Sequence, residues 1–219
     1  MKITKIEPQK RNRKRMSVYI DGAFAFGVDM EVAYVCGLKE GLEVDKEWID
    51  AVVQKEELLR AQNYALNLLS FRARSEKEIA ERMAQKGYEP FIIDKTIAYL
   101  KEQGYINDKA FVEAFIKDKS ELNGYGRNRI RWELYKKGVS RELVDELLEE
   151  VVTPDEEYEK AKMLAERKMK LWQKDPKPVQ YRKLSGLLVR KGYPFDLVSK
   201  VARELVYESD VLPDENIDF

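Results

Sequence analysis

Apolar residues repeat with two different periods along this chain. Near the start the period is two: Met16, Val18 and Ile20 alternate with Ser17 and Tyr19, and Phe24, Phe26 and Val28 follow across Asp21-Gly22. Asp-Gly between alternating runs predicts a hairpin, because both turn positions favour positive φ. Lys2–Glu7 reads as a third strand, Glu31–Cys36 as a short helix ended by Gly37, and Leu42–Val44 as a short extended piece. From Asp45, a helix cap, the period becomes helical. Trp48, Ile49, Val52, Val53, Leu59, Leu66 and Leu69 carry one helix to Ser70. About 25 residues at about 1.5 Å each give roughly 37 Å. No Pro/Gly linker follows, so the β module and the next helices are expected to be semi-rigidly coupled.

Beyond Ser70 the pattern repeats. With Gly87, Gly138 and Gly192 aligned, Ile79, Ile130 and Leu184 stand eight positions before, and Met83, Leu134 and Leu188 four before. Lys86, Lys137 and Lys191 immediately precede the glycine, and Ile92, Leu143 and Leu197 follow five after it. Ser75 with Glu78, and Thr153 with Glu156, have the spacing of capping boxes. Each repeat is a three-helix unit. The first borrows the end of the long helix, the second is led by Asp108–Leu122 and the third by Glu156–Trp172. Asp175-Pro176-Lys177-Pro178 interrupts the third before its middle helix. One short unit cannot bury enough apolar surface alone, and tandem stacking shares that burial. The predicted fold is mainly α: three tandem three-helix repeats behind a small β-hairpin-containing N-terminal module. Expected boundaries are 1–44 for the β module, 45–106, 107–152 and 153–207 for the repeats, and 208–219 for a disordered acidic tail.

Charge sharpens this picture. Charged residues make up 37% of the chain and the formal charge is zero. Yet residues 1–30 hold seven Lys/Arg against three acids, residues 153–207 thirteen against eight, and residues 208–219 five acids and no base. Two basic regions suit an acidic partner or nucleic acid. The single cysteine, Cys36, allows no intrachain disulfide and fits a reducing compartment. No apolar run approaches the roughly eighteen residues of a membrane span, and a cytoplasmic location is expected.

Enzymatic chemistry finds little support. The chain has no histidine, the commonest general base. Cys36 has no evident activating base and reads as a small buried hydrophobe. Gly124-Tyr125-Gly126 lacks the Gly-Lys-Ser/Thr of a phosphate loop and reads as helix punctuation. No cofactor or metal is expected. The informative residues are bases on the middle helices: Arg127, Arg129, Arg131 and Lys136 in the second repeat, and Arg182, Lys183, Arg190 and Lys191 in the third. Ile130 and Leu134 claim the inward face, which leaves these bases outward, toward phosphates or acidic patches. They read equally as a solvated face whose cations suit helix C-termini. Tyr88, Tyr105, Tyr125 and Tyr193, beside glycines, read as cap packing, with base stacking as the alternative. The Lys10–Arg15 run reads as an exposed loop that could also touch nucleic acid.

Taken together, Arg72-Ala73-Arg74-Ser75, Lys86-Gly87-Tyr88 and Gly104-Tyr105-Ile106-Asn107-Asp108 with Phe111 resemble the RecX family, bacterial modulators of the RecA recombinase. Arg129-Ile130-Arg131, Lys137-Gly138-Val139 and Arg190-Lys191-Gly192-Tyr193 extend the resemblance through residues 56–207. The β-rich front end resembles the extension of Gram-positive members. The resemblance implies an elongated, curved, monomeric stack lying in the groove of a RecA–single-stranded-DNA filament, where it inhibits ATP hydrolysis, strand exchange and filament extension without catalytic residues. Arg72 and Arg74 join the bases above as expected contacts. The alternative is a protein that binds naked DNA through helix-turn-helix-like units and the basic front loop.

Overall fold

The computed structural model describes residues 1–208, in which ten α-helices follow a three-stranded sheet. The acidic tail expected at 208–219 lies, apart from Glu208, outside the described residues. Strands β1 (Ile3–Pro8), β2 (Arg15–Ile20) and β3 (Ala23–Asp29) form an antiparallel meander. Asp21 and Gly22 have φ of 48° and 85°, the left-handed pair that the hairpin turn requires. The register shifts between Val18 and Tyr19, and Phe24 stands exposed against the edge of the Tyr19 ring, outside the alternation predicted for it. Ile3, Val18, Ile20 and Val28 pack with Val32 and Ala33 of α1 (Met30–Val35), and half-buried Cys36 lies against them. The Ile3 amide donates to the Leu42 carbonyl and the Val44 amide to Met1, which anchors the short extended piece.

Asp45 caps α2 (Lys46–Phe71) by accepting from the Trp48 amide at 2.7 Å. The first half of α2 packs Trp48, Ile49, Val52 and Leu59 on the β module. Its second half sets Ala61 and Ala65 among the buried residues of α3 (Glu76–Gln85) and α4 (Pro90–Glu102). Midway along α2, buried Glu56 accepts from Arg15 Nη1 at 2.5 Å and from the Asp29 amide at 2.7 Å. Arg15 is therefore no part of an exposed loop. It opens β2 half-buried, held there because a buried carboxylate requires a counter-ion.

The chain divides into two compact units: residues 1–74 with 78–106, and Ser75–Lys77 with the chain from Asn107 onward. The second unit continues through α5 (Asp108–Glu121), α6 (Arg127–Lys136), α7 (Arg141–Val151), α8 (Pro154–Met169), α9 (Lys177–Lys191), α10 (Phe195–Arg203) and a π-helical turn, Glu204–Glu208. Each repeat has its own core, with Phe111, Ile130, Leu134 and Val144 in the second and Ala161, Leu184, Leu188 and Val198 in the third. The aligned positions Ile79, Ile130 and Leu184, and Met83, Leu134 and Leu188, are all fully buried. Gly87, Gly138 and Gly192 have φ of 91°, 77° and 88°, the left-handed conformation that ends a helix without strain only for glycine. The insertion in the third repeat forms the entry to α9, with Pro178 in its first turn. The Asp175 carbonyl accepts from Gln180 Nε2 at 2.8 Å, and its carboxylate holds Lys183 at 2.7 Å. No helix among the described residues is long and apolar enough to cross a membrane.

Candidate interface on the second unit

Helix α6 begins without a side-chain cap, because Gly126 occupies that position. Its exposed donors are met from the third repeat. The Arg127 amide donates to Glu157 Oε1 at 2.8 Å, the Asn128 amide to the Gly192 carbonyl at 3.0 Å, and the Gly126 amide to the Lys191 carbonyl at 2.9 Å. The orphan amides at the start of α6 and the orphan carbonyls at the end of α9 thus satisfy one another. Only glycine permits this approach, since a Cβ at Gly126 would stand 2.5 Å from the Gly192 carbonyl oxygen. Ser75, in the same unit, donates from its hydroxyl to the Lys137 carbonyl at 2.7 Å.

This junction decides what the second-repeat arginines do. Arg127 Nε lies 2.5 Å from the carboxylate of Glu157, which is 3% exposed, and Arg127 Nη2 donates to the Val152 carbonyl. Arg129 pairs with Glu133 at 3.2 Å, donates to the Arg190 carbonyl and lies over the Tyr125 ring, 3.9 Å from its centroid. Arg131 pairs with Asp145 at 2.7 Å and donates to Asn128 Oδ1. All three, expected to point outward toward a partner, make internal contacts, and Arg127 is the most deeply committed. Lys183 is held by Asp175. In the first unit, Arg72 pairs with Glu78 at 2.9 Å. Arg74 donates to the Leu68 carbonyl, and burial, then Arg72, lower its pKa.

Other cations lack such partners. Lys136, Arg182 and Arg190 are exposed and have no carboxylate partner among the described residues. The Lys191 amine donates to the Asn123 carbonyl at 2.7 Å. Burial, then the charges of Arg129, Lys168 and Arg167, pull it below the ordinary lysine value. The sequence reading passed over Trp132, which is 55% exposed with the Lys136 amine 3.5 Å from its ring centroid. Its phase was the available signal. Two residues from both Ile130 and Leu134, it lies about 200° around the helix from each, opposite the core.

The tyrosines separate by environment. Tyr193 is buried and donates to the Gly124 carbonyl, and burial, then the Glu157 charge, push its hydroxyl up to about 12. Tyr88 packs on Tyr64 and donates to the Arg60 carbonyl. Tyr125 is covered by Arg129 and Lys191, whereas Tyr105 is exposed. Among the described residues no group of three or more His, Cys, Asp or Glu could hold a metal ion.

Comparison with known proteins matches the whole arrangement in order. Residues 1–45 match the regulatory protein RecX N-terminal domain, and 61–100, 107–148 and 155–202 match the first, second and third three-helix domains of RecX. A regulatory protein RecX of Clostridioides difficile is 34% identical over 204 residues, covering 93% of this chain and 95% of that protein. One of Clostridium perfringens strain 13 is 37% identical over 206 residues, covering 93% and 96%. A crystal structure of regulatory protein RecX superposes with a TM-score of 0.74 at 26% identity, covering 91% of this chain and 98% of that one. That of RecX from Lactobacillus salivarius does so at 0.64 and 25% identity, covering 69% and 97%. With four domain matches in sequence and relatives aligned over nearly their full length, the chain belongs to the RecX family of regulatory proteins.

Proposed function

We propose that this protein regulates a RecA recombinase by binding its filament on single-stranded DNA and slowing ATP hydrolysis, strand exchange and filament extension, in the cytoplasm and without chemistry of its own. The observation that carries the reading is family membership, with four RecX domain matches in order between residues 1 and 202. The surface is compatible with it: exposed cations on α6 and α9 that have no acidic partner among the described residues suit a polyanionic assembly. Inhibition then follows from occupancy, since a bound protein blocks strand entry and subunit addition. The protein added below stoichiometry to a recombinase–single-stranded-DNA reaction is expected to lower both ATPase rate and strand exchange. Unchanged rates at excess protein would overturn the reading.

A further inference from the structure

Where the end of α5 meets α8, the second unit has an open cleft of about 300 Å³. Leu122 and Met163 line it and are 79% and 67% exposed, so neither is packed into a core. Three cations, Lys160, Arg167 and Lys191, line it with one acid, Glu121. The Lys160 amine donates to Ser120 Oγ at 2.8 Å and the Lys191 amine to the Asn123 carbonyl at 2.7 Å. Both acceptors are neutral, so the bonds fix the amines at the cleft and leave their charges uncompensated. None of the three cations has a carboxylate partner among the described residues. Exposed apolar surface and surplus positive charge thus share one concave site, which suits a segment that mixes acids with apolar side chains.

The chain itself contains such a segment. Residues 153–207 hold thirteen Lys/Arg against eight acids, and residues 208–219 five acids and no base. In that acidic stretch Val211, Leu212, Ile217 and Phe219 stand among Asp210, Asp214, Glu215 and Asp218. Its length is sufficient to reach the cleft. Tyr207, next to the last described residue, has its ring centroid 6.1 Å from that of Tyr181 on α9. Tyr181 and Lys191 are then separated by roughly 15 Å of helix. Residues 209–219, fully extended, span at most about 40 Å. We propose that the cleft between α5 and α8 docks this chain's own acidic segment, residues 209–219, with its carboxylates on Arg167, Lys160 and Lys191 and its apolar side chains on Leu122 and Met163. The docked segment screens these cations from any other polyanion, and the contact weakens as salt rises. This goes beyond the filament reading, because it needs no recombinase.

The test uses the full chain with a photoreactive benzophenone amino acid in place of Phe219. Irradiation of a dilute, low-salt solution is expected to join residue 219 to the stretches 120–124 or 160–167 of the same molecule, as read by mass spectrometry of the monomer band. Arg167→Glu and Met163→Ser, both at exposed positions, each lower that yield about fivefold or more and keep the wild-type melting midpoint. A second measurement needs no label. The full chain and one stopped after Glu208 are expected to differ in amide chemical shifts at 120–124 and 160–167, and to agree within α4 of the first unit. The proposal is overturned if the crosslinks fall elsewhere or form only between two copies, if Arg167→Glu leaves the yield unchanged, or if the two chains have the same shifts around the cleft. A parallel recombinase ATPase assay keeps the two readings apart: inhibition without these crosslinks removes the docked segment alone, and the crosslinks without inhibition remove the regulator alone.

Discussion

Glu157 and Glu56 are buried carboxylates, and each holds both an arginine and a backbone amide. Such a group is costly in an apolar interior, and the arrangement is tolerable only because every partner is present. Removing one side of the pair leaves the other charged and unpaired. Glu157→Ala is therefore expected to destabilise the protein by about 3 kcal/mol in urea unfolding. The double change Glu157→Leu with Arg127→Met removes both charges, and much of that loss is expected to return. Equal losses for the single and double variants would mean that the pair contributes through shape alone. These contacts were invisible in the sequence because Arg127 and Glu157 are 30 residues apart, and Arg15 and Glu56 are 41. Helical periodicity says which way a residue points, whereas the carboxylate that meets it comes from another element. The same periodicity does set Trp132 opposite Ile130 and Leu134, because that contrast is local to one helix.

At the scale of elements, the repeat was legible because its signals are local. Glycine at the left-handed helix end, an apolar pair one turn apart and a proline in a first turn each act within a few residues. The Asp21-Gly22 turn and the cap at Asp45 were legible for the same reason. The start of α6 was not, because no residue of α6 caps it; the carbonyls of Lys191 and Gly192 and the carboxylate of Glu157 do so. Gly126 is the position that permits this, and its φ of −79° shows that close approach, not a left-handed backbone, requires the glycine. Gly126→Ala is expected to push the end of α9 away from α6 and to cost about 2 kcal/mol. The local reporter is the Asn128 amide, which donates to the Gly192 carbonyl at 3.0 Å. Its hydrogen exchange is expected to accelerate in the variant, while amides within α4 of the first unit exchange as before. Uniform acceleration across both units would refute a junction effect.

The whole molecule has a neutral formal charge, yet its exposed cations and its internal ion pairs serve different ends. In the second unit Arg127 and Arg129 join the second and third repeats, while Lys136 stays exposed over the Trp132 ring. That unit has two apolar clusters of its own, and its α6–α9 junction lies wholly within it. At roughly a hundred residues it has the size at which a domain buries enough surface to fold alone. A fragment of residues 107–208 is thus expected to show a helical circular-dichroism spectrum and one cooperative urea transition, with a slope of about 1–3 kcal/mol per molar. The contact it forgoes is the segment Ser75–Lys77, where Ser75 donates to the Lys137 carbonyl, so its midpoint is expected below that of the full chain. A broad, sloping transition would show that Ser75–Lys77 is required to hold the second repeat closed.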